Sequence, residues 1–83
     1  MKINVIDMLE DELKSTRYYF EWAKQYVNKD REKSDVLLNI SRQELEHAKF
    51  WKSWVTNEKS IEKYNKEFYK LYELIYGGDT DGE

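Results

Sequence analysis

A chain of 83 residues has room for one small domain with a single marginal core. It contains no cysteine, which excludes disulfides and thiolate metal sites and fits a cytoplasmic setting. Its 17 acidic and 14 basic side chains give a net charge of −3, which argues against a nucleic-acid binder.

Proline is absent and all three glycines follow Tyr76, so an all-α fold is expected. The expected architecture is an antiparallel helical hairpin with a short third helix over residues 1–76. An acidic tail, 77–83, is expected to be disordered. Met1 to Glu10 lacks a basic segment leading into an apolar run, so no signal peptide is expected. No apolar stretch reaches the roughly 20 residues of a membrane span.

The first helix is predicted from about Asn4 to about Asn28, with Asn4 as N-cap and Asp7 in the first turn. Its apolar face is broad. One row reads Ile6, Leu13, Phe20, Val27 and the next Leu9, Thr16, Ala23, flanked by Val5, Glu12, Tyr19 and Tyr26. Glu12 is embedded in that face, whereas Asp11 shares the outward row of Asn4, Tyr18 and Gln25.

Residues 28–33 carry no apolar side chain and read as a turn leading into the second helix, capped by either Asp30 or Ser34. So short a connection makes the two helices antiparallel neighbours. Between Ser34 and Val55, Leu37, Glu44 and Trp51 form one heptad row, and Ile40, His47 and Trp54 form the other. Counting back from the turn sets His47 opposite residues 11–15, level with Glu12. A polar break at 56–59 precedes a third helix that ends near Tyr76. Its apolar face is Ile61, Tyr64, Phe68, Leu71 and Ile75, with Gly77 and Gly78 as the stop. Lys59, Lys63, Lys66 and Lys70 line its other side. Interleaved with Glu58, Glu62, Glu67 and Glu73, they read as a solvated face, with an anionic partner as the sharper alternative.

The combined apolar and aromatic surface exceeds what one hairpin and a short helix can cover, so a homodimer or higher homo-oligomer built on a four-helix bundle is expected. Glu44 and the single histidine, His47, stand on one helical face where the heptad calls for leucine. With Glu12 at the same height they form a trio, and a two-fold axis doubles it to four carboxylates and two imidazoles. That is the ligand set of di-iron and di-manganese carboxylate bundles. The same residues also suit a buried polar layer in a non-catalytic oligomerisation or adaptor module. A hydrolytic zinc site is disfavoured, because one histidine cannot supply a His-Glu-x-x-His pattern.

The segment Glu44-Leu45-Glu46-His47-Ala48-Lys49, with Arg17-Tyr18-Tyr19-Phe20 upstream, resembles the rubrerythrin branch of the ferritin-like superfamily. The resemblance spans about Glu10 to Trp51. It implies that Glu12, Glu44 and His47 are metal ligands for iron, two ions per interface site, with manganese as the alternative. It implies that Tyr19 is the aromatic side chain beside the site and that the chain acts as a ferroxidase, oxidising ferrous iron with dioxygen or peroxide. An ungapped alignment substitutes Asp11 for Glu12 as the ligand. Full ferritin-like chains carry two such hairpins; this chain resembles the half-length encapsulated ferritins, whose centre forms between subunits. The tail from Gly77 does not resemble their shell-targeting peptide. With no cysteine, the iron-sulfur module of full rubrerythrins is missing as well.

Overall fold

The computed structural model describes residues 4–77, which form three helices: α1, Val5–Tyr26; α2, Arg31–Lys52; and α3, Glu58–Tyr76. Each begins at a side-chain cap. Asn4 accepts from the Ile6 amide, Asp30 from Lys33, and Asn57 from Ser60. The choice between Asp30 and Ser34 therefore falls to Asp30. Helix α2 stops at Lys52, earlier than the polar break suggested, and the Ser53 hydroxyl bonds the Phe50 carbonyl at 2.6 Å. Gly77 caps α3, while Gly78 and most of the predicted acidic tail lie outside the described residues.

Helices α1 and α2 form a tightly packed hairpin along a seam of small side chains. Leu9, Thr16 and Ala23 meet Ser34, Ser41 and Ala48, and all six are buried. The Ser34 hydroxyl donates to the Ala23 carbonyl at 2.9 Å, and the Ser41 hydroxyl to the Thr16 carbonyl at 2.7 Å. Thr16 in turn donates to the Glu12 carbonyl one turn earlier. These bonds satisfy buried hydroxyls that would otherwise be costly, and they set a single register. Seven residues from Ser34 to Ser41 match seven back from Ala23 to Thr16. Continued, the register sets Ala48 beside Leu9 and Glu12 level with Leu45.

The rows Leu37–Glu44–Trp51 and Ile40–His47–Trp54 are accordingly not the seam between α1 and α2. They flank it. His47 and Trp54 are exposed, and Leu37, Ile40, Glu44 and Trp51 are only half-buried.

On the other flank α3 closes the chain's own core. Its Tyr64, Phe68, Leu71 and Ile75 are buried against Leu9, Leu13, Leu45, Ala48 and Val55. Ile61 is partly buried beside them, as the spacing predicted. At about 1.5–3 kcal/mol for each large apolar side chain withdrawn from water, this cluster is the main source of stability. Two polar contacts fix where α3 docks. The Tyr64 hydroxyl donates to Glu10 Oε2 at 2.6 Å, and Lys52 Nζ donates to Asn65 Oδ1 at 2.7 Å. Among the described residues, no helix is long and apolar enough to cross a membrane.

Candidate metal centre

Three titratable side chains converge on the flank of the hairpin that α3 leaves open. Glu12 reaches it from α1, one helical step round from the seam residues Leu9 and Thr16. Glu44 and His47 reach it from α2, three residues apart and therefore on one face. The seam register sets Glu12 between them in height.

His47 Nδ1 lies 3.5 Å from Glu12 Oε2 and 3.7 Å from Glu44 Oε1. One donor atom from each residue falls within 4.8 Å of the others. The separations are those of electrostatic contact rather than of close hydrogen bonds. Glu12 Oε2 is withdrawn from solvent with no hydrogen-bond partner. The group is graded in exposure: the side chains of Glu12, Glu44 and His47 are 17%, 23% and 58% accessible. The imidazole thus stands at the mouth, with the two carboxylates beneath it.

Burial pushes the Glu12 carboxyl above its ordinary range, and the neighbouring Glu44 carboxylate pushes it the same way. His47 acts in the opposite sense. Two carboxylates held together at a partly buried point repel each other unless a proton or a cation lies between them. Carboxylate oxygen with imidazole nitrogen is a donor set suited to a divalent transition metal. The three residues can hold one.

Asp11 is exposed and does not belong to the group, so the structure brings together Glu12 and not its neighbour. Tyr19 lies two turns beyond Glu12 on α1, half-buried, its ring stacked on Trp22 at 6.2 Å and edge-on to Tyr18 at 5.6 Å. The lysines of α3 are exposed: Lys59, Lys63 and Lys66 share a shallow depression with Glu62 and Glu67, a surface of mixed sign.

The sequence reading missed the buried Tyr64–Glu10 contact. The available signal was a tyrosine among the apolar residues of α3, since a buried phenol needs an acceptor. It also missed the small-residue seam, although Ser34, Ser41 and Ala48 recur every seven residues.

No protein-family model, curated protein or solved structure matches the chain significantly. What can be said of the site rests on its residues and their geometry.

Proposed function

We propose that Glu12, Glu44 and His47 are half of a two-metal carboxylate centre of ferritin-like type, completed by a second copy of the chain. The observation that carries this reading is the convergence of three donor atoms within 4.8 Å on an open face, at a point where Glu12 also has a buried carboxylate oxygen without a hydrogen bond. Three donors leave a transition metal short of its usual four to six, and a two-fold axis through the group supplies the rest. The donor set favours iron or manganese, and ferrous iron is the substrate we assign.

In the reaction, two ferrous ions each give up one electron. Dioxygen accepts both with two protons and leaves as hydrogen peroxide, or peroxide accepts them and leaves as water. Glu12 and Glu44 stabilise the higher charge of the ferric product, and His47 holds its ion by neutral imidazole nitrogen. Because the Glu12 carboxyl is raised, protons compete with the cation for it, so uptake is favoured by rising pH. In this reading Tyr19, two turns along α1 from Glu12, is the oxidisable side chain that tunes or quenches the oxidant.

The test is anaerobic titration of the chain with ferrous iron, followed by metal analysis and thermal unfolding. Two ions per pair of chains are expected, and saturation should stabilise the fold by about 2.7 kcal/mol at a hundredfold excess over the dissociation constant. Glu44→Ala and His47→Ala should abolish both effects. Absence of stoichiometric iron together with an unmoved unfolding temperature would sink the reading. It would favour the polar-layer alternative instead.

A further inference from the structure

The open face is uneven along its length. Near the hairpin turn, Trp22 and Tyr26 of α1 and Val36 and Leu37 of α2 wall an open cleft of about 500 Å³, with the charged Asp30, Glu32 and Lys33 at its turn end. At the far end Trp54 projects, 56% exposed, from the turn that follows α2. Ring contacts of 5.5 and 5.7 Å to Phe50 and Trp51 hold it there. Ser53 keeps helical backbone angles, and the Trp54 amide bonds the Trp51 carbonyl at 3.0 Å. Trp54 therefore continues the row of Ile40 and His47.

The near edge of the cleft and the projecting indole lie at similar distances on opposite sides of the metal half-site. Val36 and Leu37 precede the midpoint of Glu44 and His47 by about nine residues, and Trp54 follows it by about nine, or about 13 Å each way. Trp22 and Tyr26, level with residues 35 and 31 in the seam register, carry the cleft further toward the turn. We infer that a second copy of this chain docks on the open face with its helices antiparallel and seats its Trp54 in the cleft of Trp22, Tyr26, Val36 and Leu37. This rests on the reading of Glu12, Glu44 and His47 as half of a shared site, because that reading places the two-fold axis.

An axis perpendicular to the helices through the half-site carries each feature to the same distance on the opposite side. Cleft then meets indole twice per dimer. An axis along the helices would set cleft against cleft and indole against indole, leaving both exposed. An unrelated partner has no reason to match the spacing; a copy of the chain matches it automatically. The area is of the same order. Two 22-residue helices side by side present a projected face of about 33 Å by about 18 Å, roughly 600 Å², against the ~800 Å² per partner of a standard interface.

The experiment is sedimentation equilibrium of the full chain, in chelator and with anaerobic ferrous iron, for the parent, V36K, W54E and the double variant V36K/W54E. Both positions are more than half exposed, so the fold should survive, and circular dichroism checks that it does. Each single change is expected to weaken dimerisation at least about 100-fold. The double variant should recover to within about tenfold, because each new ammonium then faces a new carboxylate across the interface.

A parent chain that is monomeric in both buffers overturns the proposal, as does a double variant no tighter than the singles. Dimerisation and rescue in chelator without iron uptake would sink the metal reading and leave this one standing. Stoichiometric iron uptake by a monomer would do the reverse. Because the chain has no cysteine, V36C and W54C give a second readout. On oxidation the two variants, mixed, should cross-link to each other, and neither should cross-link to itself. Self-linking within each variant would establish the parallel arrangement and overturn the proposal.

Discussion

The two flanks of the α1–α2 hairpin have the same length and the same seam between them, yet they solve different problems. On one, Leu13 and Leu45 disappear beneath α3. On the other, Leu37 and Ile40 are left half-buried along the face that carries two carboxylates and an imidazole. On the closed flank two polar side chains are answered within the chain: the Tyr64 hydroxyl has Glu10, and the Lys52 ammonium has Asn65. On the open flank Glu12 Oε2 has no hydrogen bond, only the 3.5 Å contact with His47 Nδ1. On the reading proposed above, the chain stabilises itself with one flank and leaves the other for a ligand and a partner. That division is testable residue by residue.

The largest effect belongs to the closed flank. Phe68→Ala removes a ring that is 5% exposed at the centre of the α3 contact, and should cost about 3–5 kcal/mol. Since small domains have only about 5–15 kcal/mol in hand, the variant should be largely unfolded near its former melting temperature, as urea denaturation would record. Ile40→Ala on the open flank is the control. In chelator, at concentrations too low for association, it should cost less than about 1 kcal/mol. Equal costs at the two positions would erase the distinction between the flanks.

The seam comes next. Ser41 is fully buried, and its hydroxyl bonds the Thr16 carbonyl, so Ser41→Leu both loses that bond and forces the backbones apart. We expect a loss of about 1–3 kcal/mol. Because Glu12 and Glu44 stand on opposite helices, the wider spacing should also weaken metal uptake. Ser41→Ala keeps the spacing and should lose only about 1 kcal/mol, with uptake retained.

Much of this division was readable in the sequence, and what was not has a physical cause. Helix number, the Asn4 cap and the buried face of α3 follow from hydrophobic spacing and capping chemistry, which are local. The meeting of Glu12 with Glu44 and His47 follows from a short turn and a constant rise per residue. The seam was hidden because serine and threonine read as polar. They are buried here only because each hydroxyl finds a carbonyl across the interface or one turn back. Heptad rows mark two faces that want covering without saying which partner covers which. The end of α2 was hidden too, since Trp54 keeps the helical period beyond the residue where the helix stops.

A smaller effect separates the polar contacts of the closed flank. Tyr64→Phe keeps the ring and deletes the bond to Glu10, which should cost about 1–2 kcal/mol. Burial, followed by the bond to Glu10 and the negative charge of Glu10, Glu67 and Asp7, pushes the Tyr64 phenol up to about 12. Folding therefore favours the protonated phenol. Its contribution is complete below pH 10, the ordinary tyrosine value, and is lost as pH rises through about 12. Alkaline titration followed by ultraviolet absorbance should find a late-ionising phenol that is absent from the variant.

The smallest change in stability, and the one that bears most on the open flank, is expected from Glu12→Gln. Folding raises the Glu12 carboxyl, so the native chain holds its proton more tightly than the unfolded chain does. In chelator, this residue's contribution to stability is complete below the unfolded value of 4.5 and declines as pH rises through the raised native value. Glutamine does not titrate and relieves the repulsion from Glu44. The variant should match or slightly exceed the parent at neutral pH, by under about 1 kcal/mol, and should lack the decline. With ferrous iron the order should reverse. The parent gains stability because the cation replaces the proton between the two carboxylates, and the variant gains none. A buried carboxylate kept only for structure would show the same pH slope, which burial and Glu44 alone produce, but not the reversal. Paired chemical-denaturation series, with and without metal, across pH 4 to 8 would therefore distinguish a ligand from a structural polar residue at this position.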